Sequence, residues 1–556
     1  MKLITKFHPD AAVLALVLLL LDSCNPGPKY VKPTAAAPSA FKEAIPQEYK
    51  EGTGWKIAQP GDDKIRGKWW EMYGDSQLNA LEEQVAISNQ NIASAEANFR
   101  AARTLVAQAR AALFPTVTAG PSVTTSHFSQ TSRSSSVLLP GGATTSGSTG
   151  TTTGTTTGTT TGTTTGVTSG TTTGTTSGTV SGIGGSSAIP GVITTYSLPI
   201  DVSYELDLWH RIRNTIAANA FQAQASAADV ATALLSTQAE VAQDYFQVRA
   251  LDEQKRVLSE TLENYRRNVE LTMTRFKGGI ASEEDVAQAQ NQLDTATAQA
   301  TDLGVARAQN EHAIAMLIGK PPAAFSLAVA EFKPKPPPVP VAVPSELLER
   351  RPDIAAAERR VAAANAQIGV ARAAYYPRLV LSASGGLQTS SFAKWFTWPS
   401  RFWSVGPQLS ETLFDAGARH AQTQQAQAQY EQTVANYRQT ALTAFQAVED
   451  NLSTLRILAQ EVVEEHAAIR SASRFLDLSL TRYRGGVDSY LNVITAQNTV
   501  LTARESETQI QARQMVASVG LVMALGGGWE TSQLPQVAQF SSAKAAGSGG
   551  AAGGQQ

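Results

Sequence analysis

Six histidines, His8, His127, His210, His312, His420 and His466, are scattered through 556 residues that contain one cysteine, Cys24. No two histidines fall one helical turn apart, and a single thiol cannot supply the ligand pairs of a zinc site. No glycine-rich run carries the lysine of a phosphate-binding loop. The expectation is no catalytic residue, no metal and no cofactor, and therefore no enzyme. Two kinds of chemistry remain. One is modification of the Cys24 thiol. The other belongs to two glycine pairs, Gly278-Gly279 and Gly485-Gly486, each following an arginine (Arg275, Arg482) and preceding acids (Glu283, Glu284 and Asp285; Asp488). Paired glycines break a helix and reach positive φ. Acids just after such a break favour the N-terminus of the next helix by roughly 0.3–1 kcal/mol each. Repeated by symmetry around a pore mouth, the same acids would instead form a ring that attracts cations. The sequence leaves both readings open.

The elements that must carry these residues come in two copies. "RFKGGIASEEDVAQAQNQL" begins at Arg275 and "RYRGGVDSYLNVITAQNTV" at Arg482; "ARAALFP" ends at Pro115 and "ARAAYYP" at Pro377. No proline interrupts the chain between Pro199 and Pro321 or between Pro407 and Pro535. Val448, Leu455, Val462, Ile469, Leu476 and Tyr483 repeat every seventh residue, matched in the first copy by Val241, Val248, Lys255, Leu262, Val269 and Phe276. A sustained heptad stripe predicts coiled-coil packing. Helices from about Leu208 to Phe276 and from about Leu413 to Tyr483 would each be roughly 100 Å long at 1.5 Å per residue. Each turns back at its glycine pair, with Ser282 and Ser489 as N-caps of the returning helices.

Short strands are expected at Thr116–Ser126, Thr194–Leu208, Arg378–Ser390 and Phe402–Phe414, where β-branched residues alternate with polar ones. They make two β-hairpins. Four strands cannot close a membrane barrel alone, whereas three chains would supply twelve. Between the first two strands glycine returns every fourth residue from Gly150 to Gly182 among Thr and Ser, a tract with almost nothing to bury. Its natural place is an exposed loop tip. Trp395, Phe396, Trp398, Phe402 and Trp403 surround the second hairpin, either packed within a loop or forming an aromatic belt at a membrane interface. Trp69 and Trp70 precede the first helix and are expected to pack in a collar.

At the N-terminus, Lys2 and Lys6 precede an apolar run from Ala11 to Leu21, too short to span a bilayer but right for an export signal. Charged residues are 17% and the net charge is −2, so no basic field points to nucleic acid.

Leu21-Asp22-Ser23-Cys24 resembles the lipobox of bacterial lipoproteins, in which the cysteine is acylated. With "GPKYVKP" (Gly27–Pro33), the duplicated tip motif, "LFDAG" (Leu413–Gly417) and "ALGGGWE" (Ala524–Glu530), the chain resembles the lipoprotein branch of the TolC-like outer-membrane efflux family. The resemblance implies a mainly helical α+β protein, a trimeric α-helical barrel continued by a twelve-stranded outer-membrane β-barrel. It also implies a passive gated duct of a tripartite efflux or secretion system, exporting small molecules. Its partners would be two further copies, a periplasmic adaptor, an inner-membrane pump and outer-membrane lipid. Gly278, Gly279, Gly485, Gly486, Arg275 and Arg482 would then form the adaptor-docking tips. Leu491, Thr495, Asn498, Asp285 and Asp488 become gate candidates. Where that branch often carries Leu-x-x-x-Asp-Ala-x-Arg, this chain has Leu491 followed by Thr495-Ala496-Gln497-Asn498, so Leu491 can plug a pore but the charged latch is missing.

The organisation read from sequence is a signal peptide (1–23), a lipidated segment and collar (24–75) and a first repeat (76–320) containing the insert 127–193. A Pro-rich linker (321–344), a second repeat (345–531) and a disordered tail (532–556) follow. A surface-exposed structural protein or adhesin displaying the Gly/Thr segment is the alternative. A second glycine tip has no use in that reading.

Overall fold

The structure, a computed structural model, describes residues 25–35, 37–38, 41–42, 68–127, 192–332, 334–337 and 349–540. The signal segment, Cys24, most of the insert 127–193 with its Gly/Thr tract, the latter part of the linker and residues 541–556 lie outside the described residues.

The chain divides into a helical unit, drawn from Met1–Phe114, Glu205–Leu379 and Leu409–Gln556, and a sheet unit, drawn from Pro115–Tyr204 and Val380–Gln408. Helices α1 (Ser76–Ser88) and α2 (Gln90–Ala111) lead to strands β1 (Thr116–Ala119), β2 (Ser122–His127) and β3 (Val192–Leu206). Helices α3 (Arg211–Lys277) and α4 (Glu283–Leu317) follow, then α5 (Pro352–Ala373), β4 (Arg378–Thr389), β5 (Arg401–Ser410), α6 (Ala418–Arg484) and α7 (Tyr490–Ala524). The helices fall into matched lengths: 22 residues for α2 and α5, 67 for α3 and α6, 35 for α4 and α7.

In the helical unit, α3 packs against α2, α4, α5 and α7, and α6 packs against α5 and α7. Its largest core gathers Trp69, Trp70, Leu78, Tyr245, Val248, Val448, Leu452, Val519 and Leu521. Asp75 caps α1 by accepting Gln77 N–H at 2.9 Å, and it also accepts the Tyr245 hydroxyl. The heptad stripe is buried at Val241, Val248, Leu262, Val448, Leu455 and Tyr483, but Lys255 and Phe276 are exposed. A second row three residues on, Leu251, Leu258, Tyr265 and Thr272, is also buried. α3 packs against α2, α4, α5 and α7, so more than one row of its surface is covered.

Three boundaries differ from expectation. α3 and α6 begin at Arg211 and Ala418, not near Leu208 and Leu413, because an acid in each preceding loop closes the helix start. Asp207 accepts the N–H groups of Ile212 and Arg213 at 2.8 Å, and Asp415 those of Gly417 at 3.0 Å and Arg419 at 3.1 Å. Likewise β5 ends at Ser410, leaving Leu413 and Phe414 exposed in that loop. The described part of the tail, up to Phe540, packs on the helical unit. That ring packs on Ala102, Val106, Ala220 and Ala223, and the Pro535 carbonyl accepts Gln224 Nε2 at 2.8 Å.

The N-terminal segment also docks on the helical unit: Tyr30 donates to Glu358 at 2.6 Å, and Asn365 donates to the Pro28 carbonyl at 3.0 Å. A tyrosine hydroxyl on a buried carboxylate fixes the "GPKYVKP" stretch along α5.

In the sheet unit the strand order is β1–β3–β4–β5, with β2 also on β3. β1 and β2 are one expected strand interrupted at Gly120-Pro121, where proline lacks a donor. The register is unbroken: Ala119 pairs with Ile200 and Ser122 with Ser197. Along β3, Tyr196, Leu198, Ile200, Val202 and Tyr204 occupy one face, and Thr195, Ser197, Asp201 and Ser203 the other. Val117 and Val123 join the apolar face by pairing with Val202 and Tyr196. On β5, Trp403 and Val405 alternate with Ser404 and are 79% and 74% exposed. At Gly386 a Cβ would meet the Leu198 carbonyl oxygen at 2.1 Å, so only glycine allows that approach to β3.

Candidate docking and gating tips

The two glycine turns share one geometry. At the first, Gly279 N–H bonds the Phe276 carbonyl and Ile280 N–H the Arg275 carbonyl, both at 2.8 Å. At the second, Gly486 N–H bonds Tyr483 at 3.0 Å and Val487 N–H bonds Arg482 at 3.1 Å. Both are Schellman closures. Only the second glycine of each pair is left-handed, Gly279 at φ 75° and Gly486 at φ 74°. Gly278 and Gly485 sit at φ −82° and −75°, which any residue adopts. The expectation that both glycines of a pair supply positive φ is corrected accordingly.

Ser282 caps α4 as expected. Its Oγ accepts Asp285 N–H at 3.1 Å while Asp285 accepts Ser282 N–H at 3.0 Å, a complete capping box. Ser489 occupies the matching position but its side chain makes no capping bond. Asp488, just before it, accepts Ser489 N–H at 2.9 Å, Asn492 Nδ2 and Arg482 Nε at 3.2 Å. The Asn492 amide first, then the Ser489 N–H and the Arg482 charge hold its carboxyl below the usual range. Asp285 and Asp488 thus both engage local helix-start groups, while Glu283 remains exposed.

The matched arginines act differently. Arg482 stays on its own hairpin with Asp488. Arg275 crosses to the other: its Nη1 donates to the Arg484 carbonyl at 3.1 Å, and its guanidinium lies 4.7 Å from the Tyr483 ring centre. A cation there satisfies a carbonyl at the C-terminus of α6 and stacks on an aromatic face. Tyr483 in turn packs on Tyr490, with Ala289 and Val493 completing a small core between the hairpins.

One turn further, Gln292 Nε2 donates to the side-chain Oδ1 of Asn498 and to the Tyr265 hydroxyl, the latter at 3.1 Å. This clasp joins α4, α7 and α3. Of the gate candidates, Asn498 is therefore committed to the first hairpin. Thr495 donates its hydroxyl to the Leu491 carbonyl at 3.0 Å, within its own helix. Leu491 is 56% exposed, and Val487 and Ile280 in the two turns are exposed too. Inspection of the sequence missed Gln292, Tyr265 and the Tyr483–Tyr490 pair. One signal was present: Tyr265 and Gln292 lie equally far on either side of Gly278-Gly279, so a tight hairpin must bring them level.

Among the described residues no group of His, Cys, Asp and Glu could hold a metal ion, and no helix is long and apolar enough to cross a membrane. The chain matches the sequence model described as outer membrane efflux protein over residues 81–320 and 343–527. It is 29% identical over 517 residues to the pyoverdine export outer membrane protein OpmQ of Pseudomonas aeruginosa, covering 92% of this chain and 96% of that one. It is 27% identical over 547 residues to the probable efflux pump outer membrane protein TtgC of Pseudomonas putida, covering 96% and 98%. The solved outer-membrane channel OprN superposes with a TM-score of 0.72 at 26% identity, over 91% of this chain and all of that one.

Proposed function

Because the chain belongs to the outer membrane efflux protein family, acting as an outer-membrane channel component of an efflux system, we propose that three copies close one duct. The observation that carries this reading is the sheet: one face is apolar, and its outer strands, β1/β2 and β5, each have one unpaired edge among the described residues. Open edges are not tolerated in lipid, so the β5 edge of one copy pairs with the β1/β2 edge of the next. Apolar alternate residues then face lipid, and Thr, Ser and Asp201 face the lumen. Three chains of four strands make twelve.

In this reading the helical hairpins reach into the periplasm and their tips receive an adaptor protein that links the duct to an inner-membrane pump. Leu491 from each copy plugs the pore. Closure rests on apolar contact and on the Gln292–Asn498 clasp, in place of a charged latch. The duct is passive and the pump selects the substrate. Cys24 is acylated and adds a lipid anchor to the barrel; Cys24→Ser then abolishes palmitate labelling while leaving the trimer intact. The deciding experiment is reconstitution of the purified chain in liposomes. A trimeric mass in mild detergent and channel conductance raised by Leu491→Ser support the reading. A monomer without higher crosslinked species, or no conductance in either form, overturns it.

A further inference from the structure

The loop between β4 and β5 presents aromatic rings and cations together. Phe392, Phe396 and Trp398 are 65%, 71% and 75% exposed, and Trp403 follows on β5. Lys394 and Arg401 are the charged residues of the stretch from Thr389 to Gln408, which contains no Asp or Glu. Neither forms an ion pair with any described residue. The Arg401 guanidinium lies 3.9 Å from the centre of the Trp398 ring, a contact that orients the cation while leaving its donors available.

The loop is built in advance. Thr397 Oγ1 and Ser400 Oγ both donate to the Lys394 carbonyl at 2.7 Å. The rings of Phe392 and Trp395 pack on Tyr196, each with centroids 5.5 Å away. Tyr196 belongs to the apolar face of β3, so the loop folds over the face turned to lipid and away from the polar one. Bare phenyl and indole rings are poorly placed in water, and unpaired cations are excluded from hydrocarbon. The boundary between acyl chains and headgroups satisfies both.

We propose that this loop is a binding site for a phosphorylated glycolipid headgroup of the outer leaflet, with Lys394 and Arg401 on its phosphates and the exposed aromatic faces against its sugar rings. The leaflet rests on the duct reading above: the chain runs on to helices beyond Arg378 and Ser410, so the β4–β5 loop lies at the other end of those strands, away from the periplasm. Phosphate favours Arg and Lys through charge-assisted hydrogen bonds, and at a membrane surface each such cation contributes enough that losing two lowers retention roughly tenfold or more.

The test uses the purified full chain reconstituted in vesicles of phosphatidylcholine doped with lipid A, in matched vesicles doped with phosphatidylglycerol, and in phosphatidylcholine alone. The bound lipid is counted by mass spectrometry after re-extraction in mild detergent. The wild-type chain is expected to retain lipid A in preference to phosphatidylglycerol. The Lys394→Gln/Arg401→Gln variant loses most of it, and Lys394→Arg keeps it. Unchanged retention by the double variant, or no preference for lipid A in the wild type, overturns the site. Conductance recorded on the same vesicles separates this proposal from the duct reading: wild type and double variant conduct alike if the duct stands, whatever the lipid result.

Discussion

Gly279 and Gly278 are neighbours with different obligations. Gly279 holds φ 75° with nothing near the position of a Cβ, so its substitution meets backbone strain and no clash. Gly279→Ala is expected to cost about 1 kcal/mol, read as a lower unfolding midpoint in detergent, whereas Gly278→Ala is neutral or slightly stabilising because it already has right-handed helical geometry. Equal effects from the two substitutions would refute the assignment of the turn. Glu82 presents a second residue-scale case. It is fully buried on α1 and neither carboxylate oxygen has a hydrogen-bond partner among the described residues. Burial raises its pKa to about 9 from an ordinary 4.5. The folded chain therefore keeps a proton that the unfolded chain releases, and its contribution is fully present below about pH 4.5 and lost as pH rises toward about 9. Glu82→Gln should raise the unfolding midpoint at pH 8 and flatten its fall with pH. A variant that is less stable than wild type at pH 8 would mean that the carboxylate is ionised and paired in the assembled protein.

At the scale of elements, the two hairpins repeat each other's lengths but not each other's contacts. Arg275 reaches across to α6 while Arg482 stays at home, and Gln292 ties α4 to α7 through Asn498. A long helical hairpin is held chiefly by its buried stripe, so a polar clasp near the tip contributes specificity of alignment more than bulk stability. This bond is exposed, so water replaces a lost partner and the net cost to stability is about 1 kcal/mol or less. Gln292→Ala and Asn498→Ala are therefore expected to raise the open probability of reconstituted channels to similar extents. The double variant should be no worse than either single one. Strictly additive effects would show that the two residues act independently.

For the whole molecule, the Gly/Thr tract matters through its position in the chain. It follows β2, which ends at His127, and precedes β3, which starts at Val192. A β-hairpin tolerates a long connection because loop-closure cost grows only logarithmically with length; dozens of added residues cost on the order of 1–2 kcal/mol. Deleting Gly150–Gly182 should leave assembly and efflux near normal. An epitope placed at Gly166 should be reached by antibody on intact cells, and one reached only after permeabilisation would invert the topology.

Long helices, glycine turns and strand pairs were legible in the sequence because each depends on local pattern: heptad spacing without proline, a Gly-Gly pair after an arginine, and alternation beside Pro115 and Pro377. Ser282 as a cap was legible for the same reason, since a capping box closes within four residues. The duct reading came from family resemblance added to those patterns. The contacts of Asp207, Asp415 and Asp488 at the helix starts are local, but no simple pattern announces them. Tertiary structure alone decided that Phe540 packs on α2 and α3. It also decided that Arg275 and Arg482, equivalent in the repeat, take different partners. Those outcomes turn on which side chain meets which across a gap of hundreds of residues. Near-identical motifs carry no record of their neighbours, and packing breaks the symmetry that the sequence repeats.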